Sequence, residues 1–291
     1  MSVLTGPFHA GEREVQRRVG VAEEAEAVGR IVARTITPAV TRFLAMQRMA
    51  VASTLDGAGR PWASLLAGPA GFIQAVDNRL LLLAVAPAGG DPLVANLQAR
   101  PELGVVVFDP RTRQRVRFNG RGLLAPQGVF LQTEQVYGNC PKYIQRRRLL
   151  AEVPMAPLPP VRLPRLEERH RAWIASADTF FIASFHPEGG ADASHRGGRP
   201  GFVRVSDASH LEFPDYAGNA MFNTLGNLVS YPRAGLLFLD FAAGGVLQLT
   251  GRTELRLEGE RTVAFEVDEA IETPGANPLR WERLDSSPSN P

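Results

Sequence analysis

Apolar residues in this chain fall in short runs rather than at long helical spacing. Met49–Leu55, Ala70–Val76, Arg79–Val85, Leu103–Asp109 and Gln114–Leu123 are rich in β-branched and aliphatic side chains. Gly, Pro, Asp and Asn bound them, which predicts antiparallel strands. A helix over Asp91–Ala99 interrupts the set, with Pro92 suited to its first turn. "DGAGRP" reads as the first hairpin turn, its glycines supplying positive φ. Five or six strands with one crossing helix predict a small barrel.

The same pattern then recurs. Gly71-Phe72 and Asp77 reappear as Gly201-Phe202 and Asp207, an offset of 130. "NLQARPELGVVVFD" from Asn96 returns as "NLVSYPRAGLLFLD" from Asn227, and Gly120-Arg121 as Gly251-Arg252, now at 131. A period this long is a duplicated domain, not a solenoid. The second hairpin turn is then "PEGGAD" and the second crossing helix Asn219–Ser230, followed by Pro232. The expected organisation is an N-terminal helical segment (1–48), with Ala22–Met49 broken by Pro38; a first barrel (49–150); a linker (151–164); a second barrel (165–285); and a disordered tail (286–291). Five prolines in Ala151–Pro164 argue against helix and sheet there and for a stiff extended connector.

Composition changes this picture little. The chain has 291 residues, 44% hydrophobic and 21% charged, enough for sizeable cores. No apolar run approaches the length that crosses a bilayer. The N-terminus has no basic-then-apolar leader pattern and a single cysteine suits a reducing compartment, so a cytoplasmic protein is expected. With 32 basic against 30 acidic residues, Arg146-Arg147-Arg148 reads as a solvated helix face rather than a nucleic-acid stripe.

Candidate chemistry lies where the copies differ. "HPEGGADASHRGGRPG" (His186–Gly201) offers glycines that let backbone amides approach an anion, together with Ser194, His195, Arg196, Gly197 and Arg199. A flexible hairpin loop is the plainer reading. Yet Ser194 falls on Ser64, His195 on Leu65, Arg196 on Leu66 and Arg199 on Pro69, while Asn219 falls on Ala88 and Asn223 on Pro92. The second copy is polar where the first is apolar. This predicts one ligand site per chain, with the second copy binding and the first mainly a wall. Asn219, Asn223 and Asn227 are four apart on one helix face, with Thr224 beside them. Asn227 has a counterpart in Asn96, which favours a structural role.

"YGNCPKYIQ" (Tyr137–Gln145) holds the chain's only cysteine and only lysine. Pro141 at the first position predicts a short helix to Arg148, with Cys140 able to cap it. Lys142 would then oppose the helix dipole unless an anion lies near. Cys140 reads as a small capping residue or a nucleophile, the former favoured because no histidine is paired with it. The histidines at 9, 170, 186, 195 and 210 have no zinc-type spacing, and no metal site is expected.

"FHAGE" near the start, "YGNCPKYIQ", and "SHRGGRPGFVRV…FPDYAGNAMFNTLGNLVSYPRAGLLF" together resemble the pyridoxamine 5′-phosphate oxidase-related flavin-binding proteins, over about His9 to Thr253. The resemblance implies a mainly β fold with flanking helices (α+β): tandem FMN-binding split β-barrels, here a pseudo-dimer within one chain, with room for a further homodimer. It implies FMN between the barrels, and Ser194, His195, Arg196, Gly197, Gly201, Phe202, Asn219, Asn223 and Thr224 are expected to hold it; Lys142 is added on its position at the end of the first barrel, close to the junction. It points to an oxidoreductase passing hydride or electrons between a reduced nicotinamide or deazaflavin donor and a small acceptor. The alternative is a non-catalytic flavin- or haem-binding carrier or sensor. Pyridoxamine 5′-phosphate oxidation itself is disfavoured, since Trp281 in "PLRWERL" is the nearest approach to the family's C-terminal substrate motif.

Overall fold

A computed structural model describes residues 6–291; residues 1–5 of the expected N-terminal segment lie outside it. Helices α1 (Ala10–Val19), α2 (Ala22–Gly29) and α3 (Pro38–Ala45) lead in. Pro38 starts α3 rather than breaking a longer helix, and the Thr37 hydroxyl accepts the Val40 N–H to cap it. The first sheet contains β1 (Met49–Leu55), β2 (Pro61–Ala67), β3 (Ile73–Ala75), β4 (Leu80–Leu83), β5 (Glu102–Asp109), β6 (Gln114–Ala125) and β7 (Gly128–Gly138), with α4 (Leu93–Ala99) between β4 and β5. Strands β8 (Arg146–Glu152) and β9 (Val161–Leu163) and helix α5 (Glu168–Ser176) lead to the second sheet. That sheet contains β10 (Thr179–His186), β11 (Gly190–Gly197), β12 (Arg204–Val205), β13 (His210–Pro214), β14 (Arg233–Leu239), β15 (Val246–Arg256) and β16 (Thr262–Thr273). Helix α6 (Asn223–Ser230) crosses it, and β17 (Leu279–Asp285) ends the regular structure.

The duplication is complete at the level of topology. The first sheet runs β2-β1-β5-β6-β7-β4-β3 and the second β11-β10-β14-β15-β16-β13-β12, the same order strand for strand. The register of β6 on β7 slips between Asn119 and Gly120, and that of β15 on β16 between Thr250 and Gly251, so the repeated glycine marks one bulge twice. Asn96 donates to the Thr54 hydroxyl at 3.0 Å and Asn227 to the Ser184 hydroxyl at 2.9 Å, which makes both asparagines helix-to-strand struts.

Central strands are buried on both faces, which is why they read as continuous apolar runs rather than alternating ones. On β1, Ala50 and Ala52 face the first barrel's core while Met49 and Val51 face the second copy. On β10, Phe180 and Ile182 face inward and Phe181 and Ala183 face the junction. The copies also approach at backbone level. A Cβ on Gly104 would lie 2.6 Å from the Ala191 carbonyl oxygen, and one on Gly235 would lie 2.6 Å from the Pro61 carbonyl oxygen. These are the same contact made twice across the pseudo-twofold axis. Strands β8 and β17, one trailing each copy, pair to close the junction, and Trp281 is buried in it.

Several local expectations are corrected. Strands β2 and β7 complete the first sheet, and their counterparts β11 and β16 the second, at seven core strands each rather than five or six. Helix α4 starts after Pro92, and α6 starts at Asn223, so Asn219 is in a loop. The expected helix from Pro141 to Arg148 is a turn followed by β8. Tyr143 takes a left-handed φ of 66°, and Arg147 alternates inward to a buried Asp178 and over the Phe241 ring at 4.0 Å. Arg146 and Arg148 point outward to Asp285 and Glu282, so strand pleating, not a helix face, spaces the three arginines. The proline connector is not free of sheet, because Val161–Leu163 pairs with the edge of β16. The tail expected to be disordered is tied down: Ser287 N–H donates to Gln145 at 2.8 Å and Asn290 donates to the same oxygen at 3.1 Å.

Candidate functional site

A cleft opens where the two copies meet, and its residues come from three places. Strand β6 of the first copy presents Arg115 and Arg117, and the turn after β7 presents Asn139, Cys140 and Tyr143. The second copy adds His195, Arg196 and Gly197 from β11, and Asn219, Asn223 and Thr224 from the loop and first turn of α6. Phe202, Tyr216 and Phe222 supply aromatic wall.

The wall is basic, but of its three arginines Arg117 and Arg196 are paired with carboxylates and Arg115 alone is not. Arg115 donates to His195 Nδ1 at 2.7 Å, so the imidazole proton belongs on Nε2, which has no partner. Burial, then the neighbouring Arg115, holds His195 well below its ordinary pKa, so it is neutral. Burial lowers Arg115 to about 10, which leaves it charged at neutral pH. Its second terminal nitrogen lies 3.9 Å from Cys140 Sγ. Arg117 is paired with Asp192 at 3.1 Å, and Asp192 also accepts from Asn119 and Tyr137. Arg196 pairs with Asp215 at 2.5 Å, and Arg261 meets the same carboxylate at 3.2 Å.

Helix α6 begins without a side-chain cap, and the residue before it, Phe222, has a left-handed φ of 58°. Ala220 is left-handed too, at 61°. Two non-glycine residues in this region mark a loop held by its surroundings, as at ligand-binding turns. The uncapped first-turn residues Asn223, Thr224 and Leu225 line the cleft, and an uncapped helix start favours an anion.

The pseudo-equivalent position is filled instead of open. At the same offsets Arg115 becomes Val246, Arg117 becomes Gln248 and His195 becomes Leu65. Gln248 donates to the Ala63 carbonyl at 2.8 Å and to Asp91 at 3.0 Å. Burial raises Asp91 to about 6.

Of the residues singled out from sequence, His195, Arg196, Gly197, Phe202, Asn219, Asn223 and Thr224 line this cleft. Ser194 sits one bond behind it, its hydroxyl accepting from Thr224 at 3.0 Å. Gly201 lies in a separate groove beside Arg199 and Arg204. Lys142 is not part of the wall, although Cys140 and Tyr143 on either side of it are. With no helix there, the dipole argument for Lys142 lapses. Asn219 keeps its place in the wall but not on a helix face; its side-chain carbonyl accepts the Met221 N–H at 3.3 Å.

Sequence reasoning missed Arg115 and Arg117, and with them the first copy's share: that copy is more than a wall. Extending the offset comparison into β6 and β15 carries the missed signal, since there the first copy is charged where the second is not. Among the described residues no group of three or more His, Cys, Asp or Glu is placed to hold a metal ion, and no helix is long and apolar enough to cross a membrane.

The family model for pyridoxamine 5′-phosphate oxidase matches residues 36–150 and again 166–290. The chain therefore belongs to that family, in a tandem, mainly β form. Similar solved structures include a single-residue variant of HupZ from Group A Streptococcus, at 11% identity and a TM-score of 0.32, covering 37% of this chain and 98% of that one. A putative pyridoxamine 5′-phosphate oxidase from Lactobacillus delbrueckii has 13% identity and a TM-score of 0.31, covering 37% and 94%. A heme binding protein from Mycobacterium smegmatis has 16% identity and a TM-score of 0.27, covering 39% and 55%. The comparison with curated proteins gives no match.

Proposed function

We propose that the junctional cleft binds FMN and that the protein is a flavin-dependent oxidoreductase, passing hydride or electrons between a reduced nicotinamide or deazaflavin donor and a small acceptor. One observation carries this reading. A single cleft combines an uncapped helix N-terminus and Arg196 from one copy with two arginines from the other. A phosphate-bearing ligand matches that combination.

The chemistry of the wall fits the cofactor. Arg115 Nε, Arg196 Nε, His195 Nε2 and Asn139 Oδ1 are all buried, all on cleft residues and all without a partner. Such orphaned groups call for a polar ligand. The cleft is small, about 90 Å³, and open on one side, so it has room for a phosphate while a larger planar group would extend along its mouth. The remaining Asn223 N–H and the α6 amides would hold the phosphate, Thr224 would flank it with its hydroxyl bonded to Ser194, and Arg196 would add charge. Arg115 would lend positive charge to an electron-rich edge. FMN, when bound, would supply hydride- or electron-transfer chemistry. Arg115 also holds His195 neutral and in one tautomer, so this histidine orients the arginine rather than moving a proton.

Haem binding is the competing reading. His195 does not favour it, because Arg115 occupies Nδ1 and Nε2 carries the proton. The absorption spectrum of the purified protein separates the two: flavin bands support the proposal, and a Soret band contradicts it. Reduction of those flavin bands by NADH, NADPH or a reduced deazaflavin would identify the donor. Bands that no donor bleaches would point to a flavin carrier instead of an enzyme.

A further inference from the structure

Behind the cleft lies a second, larger chamber of about 750 Å³, within the size range of small-molecule sites. It is bounded by α1, the α2–α3 connector, β6, β7, the β10–β11 turn and α6. The two spaces share Asn223 as a common wall. Two bonded pairs form the septum: Arg117 on the cleft side with Asp192 on the chamber side, and Asn223 with the Glu12 carboxylate at 2.5 Å.

The inner end of the chamber is polar yet close to uncharged. Asp192 is neutralised by Arg117. Burial raises Glu12 to about 8, against opposing bonds from the His9 N–H and Asn223. Both Glu12 oxygens already accept, from those two groups, so a protonated carboxyl has an O–H with no acceptor among its bonded neighbours. His9 is neutral, because burial and His186, stacked at 3.6 Å, lower it to about 3. Asn119 is buried at 5% exposure, and its Oδ1 is an acceptor with no partner. One donor and one acceptor are therefore unspent at this end.

The outer end is different. Arg30 and Arg34 are exposed, Arg79 is half-buried, and among the described residues none of the three is in an ion pair. Arg79 also has a buried Nε without a partner. Glu134 and Glu188 are the exposed carboxylates there, two against three.

The geometry points to a second ligand site: the chamber takes a small organic anion, its carboxylate or phosphate held by Arg34 and Arg79 and its polar far end by Asn119 and Glu12. This assignment does not depend on the cleft holding a flavin. Arginine forks suit either anion, and the inner end asks for a ligand with both an acceptor and a donor.

The test uses the purified full-length protein at constant ionic strength, with citrate as the probe in one arm and glycerol 3-phosphate in the other. Binding is followed by calorimetry and by the shift in thermal midpoint. At least one probe is expected to bind at one site per chain, and the arm that binds identifies the anion. Arg34→Gln with Arg79→Gln should weaken it about tenfold or more, as loss of charge-assisted bonds requires. Neither residue belongs to an apolar core, and circular dichroism checks that the variant folds. Arg196→Gln, in the cleft, should leave probe binding unchanged. Binding by neither probe overturns the assignment, as does binding that survives the double change but is lost in Arg196→Gln, which would place the anion in the cleft.

Discussion

Replacing Gly104 or Gly235 by alanine perturbs the junction at equivalent points but should separate stability from cofactor binding. Each new Cβ would meet a carbonyl oxygen of the other copy at 2.6 Å, and ordinary contact begins at 3.4 Å. The facing backbone must therefore retreat by about 0.8 Å in either variant. Neither neighbour is a flexible side-chain tip, so overpacking should cost about 1–3 kcal/mol in each. That corresponds to a drop in thermal midpoint of roughly 4 °C per kcal/mol for barrels of this size. The functional consequences differ. Gly104 presses on Ala191 and Asp192 of β11, the strand that continues into His195, Arg196 and Gly197. Gly235 presses on Pro61 and Trp62 of β2, whose continuation at Leu65 faces the filled position. Gly104→Ala should weaken FMN binding as well as stability, whereas Gly235→Ala should lower stability alone. Denaturant unfolding and FMN fluorescence titration on both variants measure the pair of effects. Equal losses of affinity, or no loss of stability in either, would show that these contacts do not set the cleft as described.

Arg196→Gln combined with Asn223→Ala should lower FMN affinity strongly, removing bonds worth about 1.5–3 and 0.5–1.5 kcal/mol; Leu66→Met, the first-copy counterpart of Arg196, should leave a titration unchanged. Lys142→Ala should also leave FMN affinity unchanged, because Lys142 is outside the cleft wall, and a marked loss would return it to the site. Arg147→Met should lower stability in urea denaturation by less than the roughly 3–5 kcal/mol of a fully broken buried pair, since Asp178 loses its inward partner but keeps Arg283 at 3.4 Å. Stability should fall between about pH 6.5 and 8. In that window Glu12 holds its proton when folded but not when unfolded, while His9, lowered to about 3, has the opposite effect only below 6.5. Thermal midpoints of Glu12→Gln across this window should be flatter than wild type, and an unchanged slope would remove Glu12 as its source.

The duplication was legible because glycines and asparagines with fixed structural duties had to be kept in both copies. Gly120 and Gly251 each sit at a bulge, and Asn96 and Asn227 each tie a helix to a strand. The second copy's half of the cleft was legible for the opposite reason: His195, Arg196 and Asn223 are polar where no symmetry-related site needs them to be. Arg115 and Arg117 escaped notice because alternation on β6 reads equally well as a strand with one wet face. Only the packing of β11 against β6 turns that face into a buried one. The stretch after Tyr137 was misread because Pro141 followed by charged residues imitates a helix start. Its conformation is set by distant partners, Asp178, Ser287 and Asn290, that no local pattern announces.

The proposed function turns on two unlike copies building one flavin site per chain. The stoichiometry of FMN bound to the full-length protein decides it, measured by fluorescence quenching against protein concentration, with Arg115→Gln beside the wild type. One FMN per chain is expected, with affinity lost when this first-copy arginine is changed. Two per chain, none, or binding indifferent to Arg115 would contradict it.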